Sequence, residues 1–107
     1  MIVNESVIAG LYTRVSTLEQ ATEGYSLAAQ KDVCISYSNA MRYKIFDIYT
    51  DDGYSAKSLN RPALNRLIAD IKARKINIVI IYKLDRLSRN VKNILELVEL
   101  FEQFNVT

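Results

Sequence analysis

A serine and a group of arginines are the residues of this sequence whose types and spacing could perform chemistry. Arg14 and Ser16 stand two residues apart in a stretch that reads as extended, so both side chains point to the same face. Asp85, Arg86 and Arg89 follow a strongly apolar run, and a carboxylate beside arginines can hold their planar forks in place. Because such forks match phosphate oxygens, the pattern indicates nucleophilic attack on a phosphate. The simpler interpretation is that Ser16 only turns or caps the chain.

Stabilisation of a serine alkoxide is what this chemistry would require from the arginines. A serine hydroxyl is a weak nucleophile until its proton is removed or its alkoxide is stabilised. A pocket of Arg14, Arg86 and Arg89 would favour both the alkoxide and the added negative charge of a pentacoordinate phosphorus. Each well-placed donor can contribute ~10²–10³ in rate. The chain contains no histidine, which excludes a Ser-His-Asp or Cys-His nucleophile within it.

Positive charge is concentrated in the middle of the chain. Residues 1–56 contain four Lys/Arg and seven Asp/Glu, whereas residues 57–92 contain ten Lys/Arg and two Asp/Glu. Such a block forms either solvated helix faces or a site for a polyanion, and composition alone leaves both open.

Motifs for nucleotide cofactors do not occur in the sequence. Neither GxGxxG nor GxxxxGK[ST] is present, so no dinucleotide or nucleoside triphosphate is expected. A metal could be held only by carboxylates such as Asp51, Asp52 and Asp85, where cationic neighbours would compete. The single cysteine, Cys34, reads as a core thiol of a reducing compartment. With neither a membrane-spanning apolar run nor a signal-peptide start, the expected location is the cytoplasm.

Three apolar runs predict the strands that must position these residues. They cover residues 7–13, 44–50 and 76–82, and the last is so apolar that it is expected to be buried. Strands that alternate with helices predict one α/β domain with a mostly parallel sheet and helices on both faces. Ligands of such sheets gather beyond the carboxyl ends of the strands. The segments expected to meet there are residues 14–16, 51–55 and 83–89.

Three amphipathic segments predict helices. The first runs from an N-cap at Ser26 to about Arg42, the second has Pro62 in its first turn, and the third follows an N-cap at Asn90. Residues 105–107 read as the start of a fourth strand. The residues of the third helix expected to face the core are Val91, Ile94, Leu95, Val98 and Phe101, with Phe104 as a further candidate.

Three blocks of the sequence closely resemble blocks of the serine recombinases, the resolvase/invertase family. They are YTRVSTLEQ (12–20), YTDDGYSAKSLNRPAL (49–64) and YKLDRLSRN (82–90). Additional residues that include EGYSLAAQ (23–30) are similar to the large serine integrase branch of phages and conjugative elements. The resemblance covers essentially the whole chain. It implies a resolvase-like catalytic domain of a site-specific DNA recombinase, which uses neither a metal nor a nucleotide.

The resemblance also implies a role for each matching residue. Ser16 would attack a DNA phosphodiester to give a 5′-phosphoserine intermediate and a free 3′-hydroxyl, followed by strand exchange and religation. Arg14, Arg86 and Arg89 would grip the scissile phosphate, and Asp85 would orient them or take part in proton transfer. In the second block, Arg61 would contact phosphate and Asp51 would hold the arginine network. The supporting residues implied by the match are Gln20, Gln30, Asp51, Ser55 and Arg61.

The implied partners are double-stranded DNA attachment sites and further copies of the protein, as a dimer or tetramer, in a bacterial cell that carries a phage or mobile element. The family's catalytic domain continues through later strands to a long pairing helix. Residues 1–107 are therefore expected to be a partial catalytic domain that is inactive alone. One alternative is a silent resolvase-like fragment that binds DNA or partners without cutting. A receiver-like domain is disfavoured, because receivers carry their paired aspartates after the first strand.

Overall fold

The sheet and its helices are those that the sequence predicts. The computed structural model describes residues 7–16, 26–53 and 60–107. The strands follow the order β2-β1-β3, with both pairs parallel, so the predicted fold class is confirmed. The elements are β1 (Ile8–Val15), α1 (Leu27–Ala40), β2 (Lys44–Asp52), α2 (Pro62–Lys72), β3 (Ile78–Ile81), a 3₁₀ turn (Leu84–Arg86) and α3 (Val91–Gln103).

Side-chain alternation along β1 separates two apolar layers. Leu11 packs with Cys34 of α1 on one face, while Tyr12 belongs to the layer beneath α2 and α3 on the other. Gly10 also lies on the second face, where a Cβ would come within 3.1 Å of Cδ1 of Leu67. Glycine at this position therefore allows α2 to pack closely against the central strand.

The helix starts agree with the predicted capping residues. The Ser26 hydroxyl accepts a hydrogen bond from the Ala29 amide at 3.2 Å. The Asn90 side chain accepts from the Lys92 amide at 2.8 Å. Pro62 is the first residue of α2, where its missing N–H removes no helical hydrogen bond. In the described residues no helix is long and apolar enough to cross a membrane.

The buried face of α3 agrees with the prediction at Phe101 but differs from it at three other positions. Leu97 and Phe101 are buried, whereas Val91, Leu95 and Val98 are 71%, 58% and 43% exposed. Apolar residues occupy two neighbouring stripes of this helix, so helical spacing alone could not identify the stripe that faces the core. The side with Leu97 and Phe101 packs into the apolar layer shared with α2.

The third strand is shorter and more exposed than the apolar run 76–82 predicts. Ile78 to Ile81 pair with β1 and are only partly buried, because β3 is the last strand in the order of the described sheet. The Thr107 amide donates to the Asn77 carbonyl at 3.2 Å, and the Val79 amide donates to the Thr107 carbonyl at 3.0 Å. This is the hydrogen-bond pattern of a parallel bridge. Thr107 thus lies beside β3 at one bridge, and the fourth strand stays a prediction.

Candidate active site

The carboxyl ends of the strands bring together side chains that are distant in sequence. Arg14 is the register partner of Asp51 across β1 and β2. Its side chain also reaches the 3₁₀ turn after β3, where Nε donates to the Arg86 carbonyl and Nη2 to the Asp85 carbonyl, both at 3.0 Å. Ser16 is partly exposed and comes directly after the last residue of β1. These contacts bring at least one residue of each predicted polar segment to the same sheet edge.

The side chains of Arg14 and Arg86 each donate a hydrogen bond to the main chain of the other residue. While Arg14 donates to the Arg86 carbonyl, Arg86 Nη1 donates to the Arg14 carbonyl at 2.8 Å. Arg86 Nε also contacts Asp85 Oδ1 at 3.1 Å. Both arginines are at most 1% exposed. Because the hydrogen bonds are reciprocal, neither guanidinium can turn away without releasing the strand end or the turn.

The side chain of Gln30 in α1 forms hydrogen bonds with the main chain at the end of β1. Its Nε2 donates to the Arg14 carbonyl at 3.1 Å, and its Oε1 accepts from the Arg14 amide at 3.3 Å. The side chain is buried, and at Arg14 it makes the two hydrogen bonds that a neighbouring strand would otherwise make. Gln30 thereby restrains the backbone just before Ser16.

Asp51 caps α2 from the end of β2. Its Oδ1 accepts from the Ala63 amide at 2.9 Å and its Oδ2 from the Leu64 amide at 3.0 Å. A carboxylate is favoured at this position, because the first amides of a helix lack partners within the helix and carry partial positive charge. The Tyr12 hydroxyl also donates to Asp51 Oδ2 at 2.8 Å.

Arg61 lies beneath the 3₁₀ turn with 1% of its surface exposed. Its Nη1 donates to the Tyr12 hydroxyl and to the Arg86 carbonyl, both at 3.0 Å, and its Nη2 donates to the Leu87 carbonyl. These contacts support a role in holding the turn in place. The phosphate contact implied for Arg61 by the resemblance remains a prediction.

The remaining predicted residues are more exposed or lie outside the described ranges. Arg89 is exposed at the bend before Asn90, the N-cap of α3. Lys83 is exposed as well. Gln20 and Ser55 fall in residues 17–25 and 54–59, outside the described residues.

Two residues of the site were not singled out by the sequence. Tyr12 is fully buried, and burial raises the pKa of its phenol well above the ordinary value, so the hydroxyl remains a proton donor. Its position two residues before Arg14, on the same face of β1, is the signal that could have identified it. Ser88 is buried, and its hydroxyl accepts from the Asn90 amide at 2.9 Å. It shapes the chain between the buried Arg86 and the exposed Arg89.

Arg14 and Arg86 are buried and held by hydrogen bonds, and the partly exposed Ser16 follows Arg14 by two residues. Donors fixed in advance stabilise negative charge that develops in a transition state without further reorganisation. Fixed arginine donors beside a serine hydroxyl are suited to reactions in which a phosphate gains negative charge. Within the described ranges, no group of three or more His, Cys, Asp or Glu side chains is placed to hold a metal ion.

Comparison with known proteins identifies the family to which the parallel sheet and its arginine-rich edge belong. Residues 9–107 match the sequence profile of the family described as "Resolvase, N terminal domain". Since this match spans nearly the whole chain, the chain belongs to the resolvase family of serine recombinases.

Solved structures agree with this family. The chain is 45% identical to the N-terminal catalytic domain of TP901-1 integrase, with a TM-score of 0.86 over 92% of this chain and 74% of that one. It is 38% identical to a resolvase family site-specific recombinase from Streptococcus pneumoniae, with a TM-score of 0.80 over 94% of this chain and 69% of that one.

Two curated relatives differ widely from each other in the share of their length that this chain matches. A Bacillus subtilis (strain 168) protein named "Putative DNA recombinase" is 44% identical over 81 residues, which are 76% of this chain and 16% of that protein. "Uncharacterized immunity region protein 3" of Bacillus phage phi105 is 43% identical over 63 residues, which are 59% of this chain and 77% of that protein. The chain thus spans only a small part of the first relative and most of the second.

Proposed function

We propose that this chain is part of the catalytic domain of a site-specific DNA recombinase in which Ser16 is the nucleophile. The observation that carries the proposal is the reciprocal pairing of Arg14 with Arg86, which fixes two buried guanidinium groups beside the strand end that presents Ser16. The Ser16 oxygen attacks the phosphorus of a DNA phosphodiester, and the bond from phosphorus to the 3′-oxygen breaks. The serine proton is lost and the departing 3′-oxygen gains a proton, leaving a 5′-phosphoserine ester and a 3′-hydroxyl.

Religation reverses this step with a new 3′-hydroxyl after strand exchange. The incoming hydroxyl attacks the phosphoserine ester, and the Ser16 hydroxyl is restored. Because the phosphoserine ester retains the energy of the broken phosphodiester bond, the exchange of strands requires no nucleotide and no external energy source.

The arginines bind the scissile phosphate and stabilise its added charge. Arg14 and Arg86 do so from the buried side of the edge, and Arg89 approaches from the solvent side. Asp85 is 37% exposed in its side chain and contacts Arg86 Nε, so it orients that fork and can also exchange a proton with water. Gln30 and Asp51 keep the strand ends in place, and Gln20 and Ser55 are further supporting residues of the proposed site.

We place the chain in the large serine integrase branch, and 45% identity to an integrase catalytic domain supports this. Its partners are then double-stranded DNA attachment sites and further copies of the protein, in bacterial cells that host a phage or mobile element. Four subunits cut four strands, and residues 1–107 by themselves do not recombine DNA. The alternative is a fragment that binds DNA or partners without cutting.

A suicide DNA substrate tests this proposal. The natural polypeptide that carries residues 1–107 is incubated with attachment-site DNA nicked near the cleavage point, so that a short strand diffuses away and the covalent complex accumulates. We expect a protein-linked 5′ end and an extendable 3′-hydroxyl. Ser16→Ala should abolish the complex and change DNA affinity by no more than about 2-fold, since one hydroxyl contributes little to docking. Cutting by Ser16→Ala at the wild-type rate would refute the assignment, and binding without a wild-type complex would favour the silent alternative.

A further inference from the structure

We infer that Tyr12 is a positioning residue of this site, and that its hydroxyl determines where Arg61 supports the turn that carries Arg86. The inference rests on the proposed function for its kinetic consequence. Tyr12 is fully buried on the face of β1 that also carries Arg14, two residues away. It is close enough to organise the arginines, but it bonds to Asp51 and Arg61 in the interior.

Two hydrogen bonds fix the orientation of the Tyr12 hydroxyl. It donates its proton to Asp51 Oδ2 at 2.8 Å, and its oxygen accepts from Arg61 Nη1 at 3.0 Å. Asp51 is itself held by the first amides of α2, so the acceptor for the phenol proton is fixed to a helix. Burial raises the pKa of Tyr12, which keeps the group a neutral donor. The phenol oxygen is consequently a fixed acceptor for one arm of Arg61.

Arg61 transmits this position to the turn. The Nη1 atom that contacts Tyr12 also donates to the Arg86 carbonyl at 3.0 Å, and Nη2 donates to the Leu87 carbonyl. The Arg86 carbonyl in addition accepts from Arg14 Nε at 3.0 Å. A continuous series of hydrogen bonds therefore connects the Tyr12 hydroxyl to the backbone of Arg86 and to the Arg14 fork.

Removing only the hydroxyl isolates this role. In Tyr12→Phe the ring still fills the core, but Arg61 loses an acceptor and Asp51 loses a donor in a buried place. Arg61 must then find another partner, and the turn it supports can shift. Displacement of a transition-state donor by about 1 Å can cost on the order of 10²-fold in rate while substrate binding is unchanged.

Tyr49 provides a matched control. It is also fully buried, and its hydroxyl donates to Asp70 Oδ2 at 2.5 Å, near the C-terminal end of α2. Tyr49→Phe therefore removes a partly buried tyrosine–aspartate hydrogen bond without touching Arg61. A loss of activity caused by lower stability alone should be similar in the two variants.

The kinetic test measures single-turnover formation of the covalent complex at saturating DNA, together with DNA affinity. We expect Tyr12→Phe to slow the step by at least about 10-fold, and Tyr49→Phe by less than about 2-fold, with affinity nearly constant in both. Arg61→Lys should show the same defect as Tyr12→Phe, and the double variant should be little worse than either. Equal rates in the two tyrosine variants, or additive losses with Arg61→Lys, would overturn the inference.

A structural measurement on residues 1–107 separates this inference from the proposed function. Hydrogen exchange at the arginine guanidinium groups is followed by NMR in the wild type and both tyrosine variants. Faster exchange at Arg61 and Arg86 in Tyr12→Phe, but not in Tyr49→Phe, would support the positioning role even if no covalent complex formed. Unchanged exchange at both arginines would contradict it even if the wild type cleaved DNA.

Discussion

At the scale of single residues, main-chain carbonyls hold the buried arginines in place. Arg14, Arg61 and Arg86 are each at most 1% exposed, and each donates to one or more carbonyls at the sheet edge. A guanidinium carries five donors in a rigid plane, so it can join several carbonyls at once. Lysine would supply the charge without this geometry.

Replacement of Arg86 or Arg89 by lysine tests whether the cleavage rate depends on the guanidinium geometry or only on its charge. Arg86→Lys and Arg89→Lys should each lower the cleavage rate by about 10² or more, because a transition-state donor is lost while the charge remains. Lys83→Ala is the control, since Lys83 is exposed and its Nζ lies 5.6 Å from the Tyr82 ring centroid. Single-turnover cleavage assays measure the effect. Wild-type rates in both lysine variants would mean that charge alone is sufficient.

The sequence indicated the general location of these residues but not their contacts. Arg14 and Ser16 could be placed at a strand end because apolar strands and polar ends alternate along the chain. The contact of Arg61 with Tyr12 joins residues separated by 49 positions, and it depends on sheet register and helix position. Local patterns carry no information about either, so the sequence did not identify Tyr12 as part of the site.

At the scale of elements, the start of α2 depends on a residue outside the helix. Pro62 indicates the first turn in the sequence, but the N-cap residue Arg61 has no side-chain capping hydrogen bond. Asp51 of β2 supplies the capping carboxylate instead. A local capping rule could therefore predict where the helix begins but not which side chain stabilises it.

The corrected face of α3 predicts a contrast between two leucines. Leu97→Ala should destabilise the fold by ~2–5 kcal/mol, because Leu97 is 3% exposed and its loss leaves a cavity. Leu95→Ala should cost less than about 1 kcal/mol, because Leu95 is 58% exposed. Urea unfolding of both variants measures the difference. Equal destabilisation would show that the sequence-predicted face is also part of the core.

At the scale of the whole molecule, the basic block of residues 57–92 serves two purposes. Arg61 and Arg86 are buried at the sheet edge, whereas Lys72, Arg74 and Lys75 are exposed around the C-terminal end of α2. The exposed residues agree with the interpretation as solvated helix faces, and the polyanion site stays a prediction. Composition could not separate them, because the separation depends on which end of the sheet each residue reaches.

Assembly into four active subunits, as proposed, predicts how mixtures behave. When wild-type and Ser16→Ala forms of the natural polypeptide are mixed equally before assembly, recombinant product should fall to about one sixteenth, since all four subunits must be active. A two-site recombination assay at constant total protein measures this. A fall only to one half would mean that subunits act independently, and the proposed assembly would be wrong.

Mass spectrometry of the trapped protein–DNA complex tests the central claim most directly. The complex is digested with nuclease and trypsin, and the peptide that carries the residual nucleotide is sequenced. We predict a nucleotide joined through a phosphodiester to Ser16, and no modified peptide from Ser16→Ala. A nucleotide on any other residue, or cleaved DNA with unmodified Ser16, would contradict the account.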